Sequence, residues 1–188
     1  LDVLNPKHQG PKDLEDKSRQ AYLKDEAIKS WHEIALYAKE KGIKEIFWEP
    51  MSISREFGET IDRAISLNSE LNQNSPLPFS MCLDVDHGDL ESANPLDTDP
   101  YAWIEKCEDG FNMLHLKQSY ANKGGHWPFT SEHNAKGVIE PSKILNAIKK
   151  TKPRFVQLVI ELSFKERQPA DRLAADHVKE SVNFWLNA

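Results

Sequence analysis

Short apolar runs alternate with longer amphipathic stretches along this chain. Apolar residues recur at helical spacing from about Asp13 to Lys41, and Gly42 supplies a C-terminal stop. Four later runs are compact, apolar and of strand length, and amphipathic or turn-rich segments separate them. The pattern predicts consecutive βα units, with strands near residues 43–49, 79–84, 111–116 and 155–162. Further helices are predicted at about residues 60–72, 101–106, 141–148 and 171–187.

Each of the four apolar runs ends in a side chain that can bind a metal ion: Glu49, Asp84, His115 and Glu161. They lie 35, 31 and 46 residues apart, which leaves room for a strand, a loop, a helix and a return. In a parallel barrel all strands point the same way, so residues at successive carboxyl ends meet on one rim. We predict an α/β fold of the (β/α)8 TIM-barrel type, with these four side chains together on that rim.

The length of the chain limits how much of a barrel it can form. A complete (β/α)8 barrel takes roughly 250 residues, whereas this chain has 188 and begins at Leu1. We therefore predict one domain, residues 1–188, that represents only the carboxyl-terminal portion of a barrel. Because such a portion exposes strand edges and an apolar interior, the missing strands or a homo-oligomer should cover them.

Composition narrows the class of protein further. The net charge is −6 with 29% charged residues, which disfavours a nucleic-acid partner. No apolar run approaches the roughly 18 residues that a membrane span needs, so no membrane partner is expected. Only Cys82 and Cys107 are cysteines, and the first lies in a predicted buried strand. A cytoplasmic, disulfide-free protein is the expectation.

The four strand-end residues point to a particular metal chemistry. Carboxylates and an imidazole, without a thiolate, form a hard, oxygen-rich site that suits Mn²⁺, Mg²⁺ or Co²⁺. Taken singly, each acidic residue could equally cap the next helix or pair with an arginine. Four metal-binding side chains on four consecutive strand ends favour one divalent metal, with Mn²⁺ as the first candidate.

Three histidines outside this set have two readings each. His87 follows Asp84 by three residues, and it either contacts substrate beside the metal or bonds to a backbone carbonyl. His126 and His133 lie in a predicted loop of about 23 residues after the third strand, where they are either site residues or solvated ones. A loop of this length is usually functional or disordered. Trp127 either shuts water away from a sugar or pins the loop by apolar packing.

Cations near the predicted rim could form an anion site, or they could have ordinary surface roles. Lys117 and Lys123 lie in the long loop among several glycines, which together could contact a phosphate. Arg55 and Arg167 follow the first and last predicted strands and could bind an anion. Pairing with neighbouring glutamates is the more ordinary role for both arginines.

The order Glu49, Asp84-x-x-His87, His115 and Glu161 resembles the carboxyl-terminal part of the xylose-isomerase-like barrel superfamily. Three segments are similar to a subgroup of sugar-phosphate isomerases and epimerases, tetrulose-phosphate epimerases among them: Trp48–Ser52, His126–Thr130 and Glu166–Arg167. The resemblance covers the chain from about Gly42 onward. It implies that Glu49, Asp84, His115 and Glu161 hold one divalent metal. It also implies that His87 and Gln118 contact the sugar, and His126 and Trp127 are further substrate-binding candidates.

The implied activity is metal-dependent epimerisation or isomerisation of a sugar or sugar phosphate. A metal that chelates a ketose makes the carbon between its oxygens more acidic, because the cation stabilises an ene-diolate. Glu49 and Glu161 would be the catalytic pair, one removing a proton and the other returning it. Return on the opposite face gives epimerisation, and transfer between neighbouring carbons gives aldose–ketose isomerisation. An endonuclease-IV-like phosphodiesterase and a non-catalytic barrel that binds a sugar or a partner are the alternatives.

Overall fold

The structure is a computed structural model that describes residues 16–53, 56–121, 124–152, 155–163 and 172–188. Within these ranges, four strands form one parallel sheet in the order β1-β2-β3-β6. They are β1 (Ile46–Trp48), β2 (Phe79–Asp84), β3 (Phe111–Leu116) and β6 (Gln157–Ile160). The predicted parallel arrangement is confirmed, and the first and last strands are shorter than expected. The sequence predictions for the first loop, Arg55, Lys123 and the segment Glu166–Arg167 lie outside the described residues.

Helices follow or precede the strands as the periodicity predicts. Their bounds are α1 (Lys17–Glu40), α2 (Ile61–Asn72), α3 (Pro100–Cys107), α4 (Ser131–Asn134), α5 (Pro141–Lys149) and α6 (Ala174–Leu186). A 3₁₀ helix, Pro95–Thr98, precedes α3. In the described ranges no helix combines the length and the apolar character that crossing a bilayer requires.

Local sequence fixes where these helices begin. The Asp16 and Thr60 side chains accept hydrogen bonds from backbone N–H groups of the first turns of α1 and α2. Asp99 caps α3 in the same way, and Pro100 occupies its first turn, where no N–H is needed. Pro141 plays the same part in α5. These four helices therefore begin at a capping side chain or at a proline, whereas α6 has no side-chain cap at Leu173.

The core lies between the outer face of the sheet and the helices. Phe79, Met81, Leu83, Phe111 and Leu114 are all less than 4% exposed, and they pack under α2, α3 and α5. Alternation along the strands sends the other side chains to the barrel interior. A strand face of apolar residues against helices and an inner face of polar residues is the layering of a barrel wall.

Strand register brings the polar ends of the strands together. Asp84 pairs with His115 across β2 and β3, after a shift in register between Met81 and Cys82. On the next strand, His115 pairs with Val159, and Glu161 N–H donates to Leu116 O at 2.9 Å. Glu49 directly follows Trp48, the last residue of β1. The four predicted ligands therefore end neighbouring strands at the same edge.

The long segment after β3 is more ordered than its sequence suggests. It was predicted as a loop, but it contains an antiparallel hairpin of β4 (Gln118–Tyr120) and β5 (Gly124–Trp127), followed by α4. Gly124 and Gly125 have φ of 63° and 131°, a region that suits glycine far better than other residues. Because two glycines and three aromatic residues do not show a clear two-residue alternation, the sequence pattern concealed this hairpin.

Candidate active site

The predicted metal ligands meet around one imidazole nitrogen. His115 Nδ1 lies 3.3 Å from Glu49 Oε1, 3.9 Å from Asp84 Oδ2 and 3.9 Å from Glu161 Oε2. Asp84 is buried at the end of β2, while the Glu49 and Glu161 side chains are 27% and 37% exposed. The cluster is therefore closed at the bottom by Asp84 and open to solvent at Glu49 and Glu161. A site for a small molecule needs this arrangement.

His87 stands beside this cluster from the loop after β2. Its Nδ1 lies 3.3 Å from Glu49 Oε1 and 3.2 Å from Pro50 O. The ring thus makes the backbone-carbonyl contact of the second alternative and also lies beside a predicted ligand. Gly88, the next residue, has φ of 136° and its N–H donates to Ser52 Oγ at 3.0 Å. A side chain at Gly88 would collide with the Asp97 carbonyl, so the turn that holds His87 requires glycine.

These side chains fit a divalent cation in both chemistry and spacing. Two overlapping groups have ligand atoms that all lie within 4.8 Å of one another: Glu49, Asp84 and His87, and Asp84, His115 and Glu161. Ligands on opposite sides of an ion such as Mg²⁺ lie about 4 Å apart, so modest side-chain movement would bring either group around one ion. The three carboxylates are donors that hard divalent metals prefer, and neutral imidazole is a common metal ligand.

Lys117 is a member of the site that the sequence interpretation misplaced. It was considered as a loop cation for a phosphate, but its side chain is fully buried beneath the cluster. The ammonium Nζ lies 2.8 Å from Asp84 Oδ2, 3.0 Å from Glu161 Oε2 and 2.8 Å from His126 Nε2. An ammonium has three N–H groups and no acceptor, so His126 Nε2 must be the accepting nitrogen of their contact. In extended backbone Lys117 shares a face with His115 two residues earlier, but the sequence does not show which side chains that face meets.

Burial and charge shift the pKa values of these groups in different directions. Burial raises the pKa of Asp84 against the opposing attraction of His87 and Lys117. Burial alone would also raise the pKa of Glu161, but hydrogen bonds with Lys117 and Asp84 and the Lys117 charge lower it to about 2. For Lys117, burial would lower the pKa, and the attraction and hydrogen bonds of Asp84 and Glu161 outweigh it and raise the pKa. Glu161 and Lys117 are therefore both charged at neutral pH.

Gln118 does not have the substrate-binding geometry that the resemblance implied. Its side chain is 1% exposed, and its Oε1 accepts from Ile139 N at 2.9 Å and from Ser119 N at 3.1 Å. Its Nε2 donates to Ile139 O and to Asn134 Oδ1, both at 3.1 Å. All four hydrogen-bonding positions of the amide are thus occupied by the protein. Gln118 ties β4 to the segment before α5, and we correct its assignment to a structural one.

The β4–β5 hairpin carries the other two substrate-binding candidates. His126 contacts Lys117 and lies 3.6 Å from Glu161 Oε2, so it belongs to the cluster. The Trp127 ring stacks on Tyr120 and His133, with centroids 5.5 and 5.0 Å away and interplanar angles of 15° and 18°. Trp127 is 36% exposed. Part of the ring is therefore accessible to solvent, while the stacked part holds the hairpin in place.

Asp86 fastens this hairpin to the loop after β2. Its Oδ1 accepts a short hydrogen bond from Ser119 Oγ, and its Oδ2 accepts from Gly125 N at 3.0 Å. Its own N–H donates to Asp84 Oδ1 at 2.7 Å. One residue therefore connects the hairpin that bears His126 to a predicted metal ligand, a role that was not predicted from the sequence.

A cavity of about 660 Å³ opens beside the cluster. Polar or small lining residues include Ser52, Asp86, His87, Ser119 and Tyr120. This volume lies in the usual range for sites of small molecules, roughly 300–1,000 Å³. His87 lines the cavity and also contacts Glu49, so this histidine links the cavity wall to the carboxylate cluster, whose four predicted ligands do not themselves line it.

Comparison with solved structures agrees with a barrel fold. The chain superposes on a proposed xylose isomerase from Rhodospirillum rubrum ATCC 11170 with a TM-score of 0.80 and 22% identity, covering 95% of this chain and 59% of that one. It superposes on D-psicose 3-epimerase with a TM-score of 0.59 and 13% identity, covering 96% and 57% respectively. At these identities the likeness shows the fold, which is the barrel fold that the residue pattern predicted.

The sequence comparison identifies a particular relative. The chain is 46% identical over 175 residues to D-erythrulose 1-phosphate 3-epimerase of Brucella abortus (strain 2308). That match covers 93% of this chain and 56% of the relative, so the chain spans a little over half the length of the curated protein it resembles. No family model matches the chain.

Proposed function

We propose that this chain carries the catalytic rim of a divalent-metal-dependent epimerase of ketose phosphates. The observation that supports this most directly is the convergence of Glu49, Asp84 and Glu161 on His115 Nδ1, within 3.9 Å, at one edge of a parallel sheet. The similarity to D-erythrulose 1-phosphate 3-epimerase favours a four-carbon ketose phosphate as substrate and carbon 3 as the reacting carbon.

Glu49, Asp84, His115 and Glu161 are the residues that would hold the metal, and Mn²⁺ is our first candidate for this donor set. When bound, the cation would supply the positive charge that makes the hydrogen beside a ketose carbonyl acidic. Asp84 lies buried at the bottom of this site, and His87 faces Glu49 from the side of the cavity. His87 is therefore placed to orient a sugar hydroxyl next to the carboxylates.

Glu49 and Glu161 would move the proton. They follow β1 and β6, the two outer strands of the described sheet, so they approach the centre of the rim from opposite sides. One carboxylate would remove the hydrogen from carbon 3 on one face, and the other would return a proton to the opposite face, which inverts that carbon. Glu161 is ionised at neutral pH because Lys117 lowers its pKa to about 2, and an ionised carboxylate is the form that accepts a proton.

The β4–β5 hairpin would help to cover and orient the substrate. Trp127, Tyr120 and His133 form a stacked group on the hairpin, and we propose that the exposed part of Trp127 covers the substrate and excludes water. His126 would sit between this aromatic group and Glu161, where it can contact a substrate oxygen.

Metal content and hydrogen exchange together test the proposal. Purified protein loaded with Mn²⁺ and desalted should retain about one metal per chain, and Asp84→Asn should lose it. In D₂O, erythrulose 1-phosphate should then gain deuterium at carbon 3, measured by NMR, only in the presence of protein and metal. Exchange at carbon 1 without exchange at carbon 3 would refute epimerisation at carbon 3. Bound metal and sugar without any exchange would indicate a binding barrel rather than an enzyme.

A further inference from the structure

Lys117 is a buried cation that lies next to the proposed metal ligands. The Lys117 and Asp84 side chains are both fully buried, with Nζ 2.8 Å from Asp84 Oδ2. The second anionic partner of Lys117 Nζ is Glu161 Oε2, at 3.0 Å. Both partners are residues that we propose as metal ligands, so the following inference rests on the proposed function.

The ammonium contacts the same oxygen atoms that face the third ligand. Asp84 Oδ2 and Glu161 Oε2 each lie 3.9 Å from His115 Nδ1, and Lys117 Nζ is paired with those two atoms. A cation held by Asp84, His115 and Glu161 would use these oxygens. The lysine and the metal therefore compete for the same negative charge, in a position where solvent screens their mutual repulsion weakly.

We propose that Lys117 is an internal cation that stabilises the metal-free rim and weakens metal binding. Without metal, its charge prevents repulsion between Asp84 and Glu161, which would otherwise lie close together as two unpaired carboxylates. When a divalent cation arrives, the ammonium has to give up part of its contact with one or both oxygens. His126 Nε2, its neutral partner at 2.8 Å, stays available to it during this change.

This role predicts opposite effects on stability and on metal affinity. Lys117→Met removes both charge and hydrogen bonds, and Lys117→Gln removes the charge but keeps a donor. Both variants should unfold at a lower temperature than the parent when metal-free, and both should bind Mn²⁺ at least about tenfold more tightly. The rise in melting temperature on adding Mn²⁺ should accordingly be larger in both variants than in the parent.

The experiment measures free Mn²⁺ by electron paramagnetic resonance during titration of chelator-treated protein, with melting curves on the same samples. Lys143→Met is the matched control, because it removes a lysine that is 57% exposed and pairs with Glu140 away from the rim. It should bind Mn²⁺ like the parent. Lys117→Arg keeps the positive charge and should show no gain in affinity.

Two outcomes would overturn the inference, and they are distinguishable. If the parent binds Mn²⁺ and Asp84→Asn does not, but Lys117→Gln and Lys117→Met bind no more tightly than the parent, then Lys117 does not oppose the metal and only this inference fails. If neither the parent nor any variant binds Mn²⁺, the proposed metal site itself fails and the inference fails with it.

Discussion

Replacing Gln118 with leucine tests whether this residue holds the fold rather than the substrate. The change preserves most of the side-chain volume and removes four hydrogen bonds, three of which satisfy buried backbone groups of Ser119 and Ile139. The fourth partner, Asn134, is less buried and can turn to water. The loss therefore falls on three backbone groups that no solvent can reach.

The magnitude follows from the cost of leaving those groups unsatisfied. Each buried donor or acceptor without a partner costs about 1–3 kcal/mol, and burying an apolar side chain recovers about 1.5–3 kcal/mol. We expect the free energy of unfolding to fall by about 3–5 kcal/mol, which is a large part of the roughly 5–15 kcal/mol available to a domain. Urea unfolding at 25 °C, followed by tryptophan fluorescence and far-UV circular dichroism, measures this change.

A matched control is Gln157→Leu, which makes the same chemical change at an exposed residue that begins β6. It should alter the free energy of unfolding by less than about 0.5 kcal/mol. The reasoning about Gln118 would be refuted if Gln118→Leu unfolded like the parent and instead raised the KM for the sugar phosphate, because that result assigns the amide to substrate binding.

Four further outcomes are expected. Glu161→Gln should reduce carbon-3 deuterium exchange at least about 10³-fold while the melting temperature stays within a few degrees of the parent, and unchanged exchange would remove Glu161 from the reaction. Asp86→Ala should raise KM and lower kcat with Mn²⁺ affinity retained, since it releases the hairpin from Ser119 and Gly125; loss of Mn²⁺ binding would mean that it supports the ligands instead. Trp127→Ala should weaken sugar-phosphate binding, measured by calorimetry, without changing Mn²⁺ affinity, whereas loss of metal would make the tryptophan purely structural. Cys82 and Cys107 should not react with a thiol reagent at pH 8 in the folded protein, because burial raises the pKa of both thiols to about 12; rapid modification would contradict their burial.

The strand-end residues are the part of the site that could be predicted from the sequence. Short apolar runs with single polar ends, separated by amphipathic stretches, are enough to indicate parallel βα units, because burial on both faces imposes that pattern on a barrel wall. When strands are parallel and neighbouring, their carboxyl ends must share an edge. The sequence was therefore enough to place Glu49, Asp84, His115 and Glu161 together. The distances around His115 Nδ1 agree with that inference.

Lys117, Gln118 and Asp86 could not be assigned in the same way, because their roles depend on partners that are remote in sequence. Lys117 reaches a carboxylate 44 residues away, and Gln118 reaches Ile139, 21 residues away, through contacts that only the packing of the hairpin creates. Local periodicity tells which face a residue occupies, and it contains no information about what that face meets. The sequence by itself therefore determined the barrel units and the candidate ligands. The tertiary structure decided which neighbouring side chains support the fold and which share the charge of the site, since burial and distance control both.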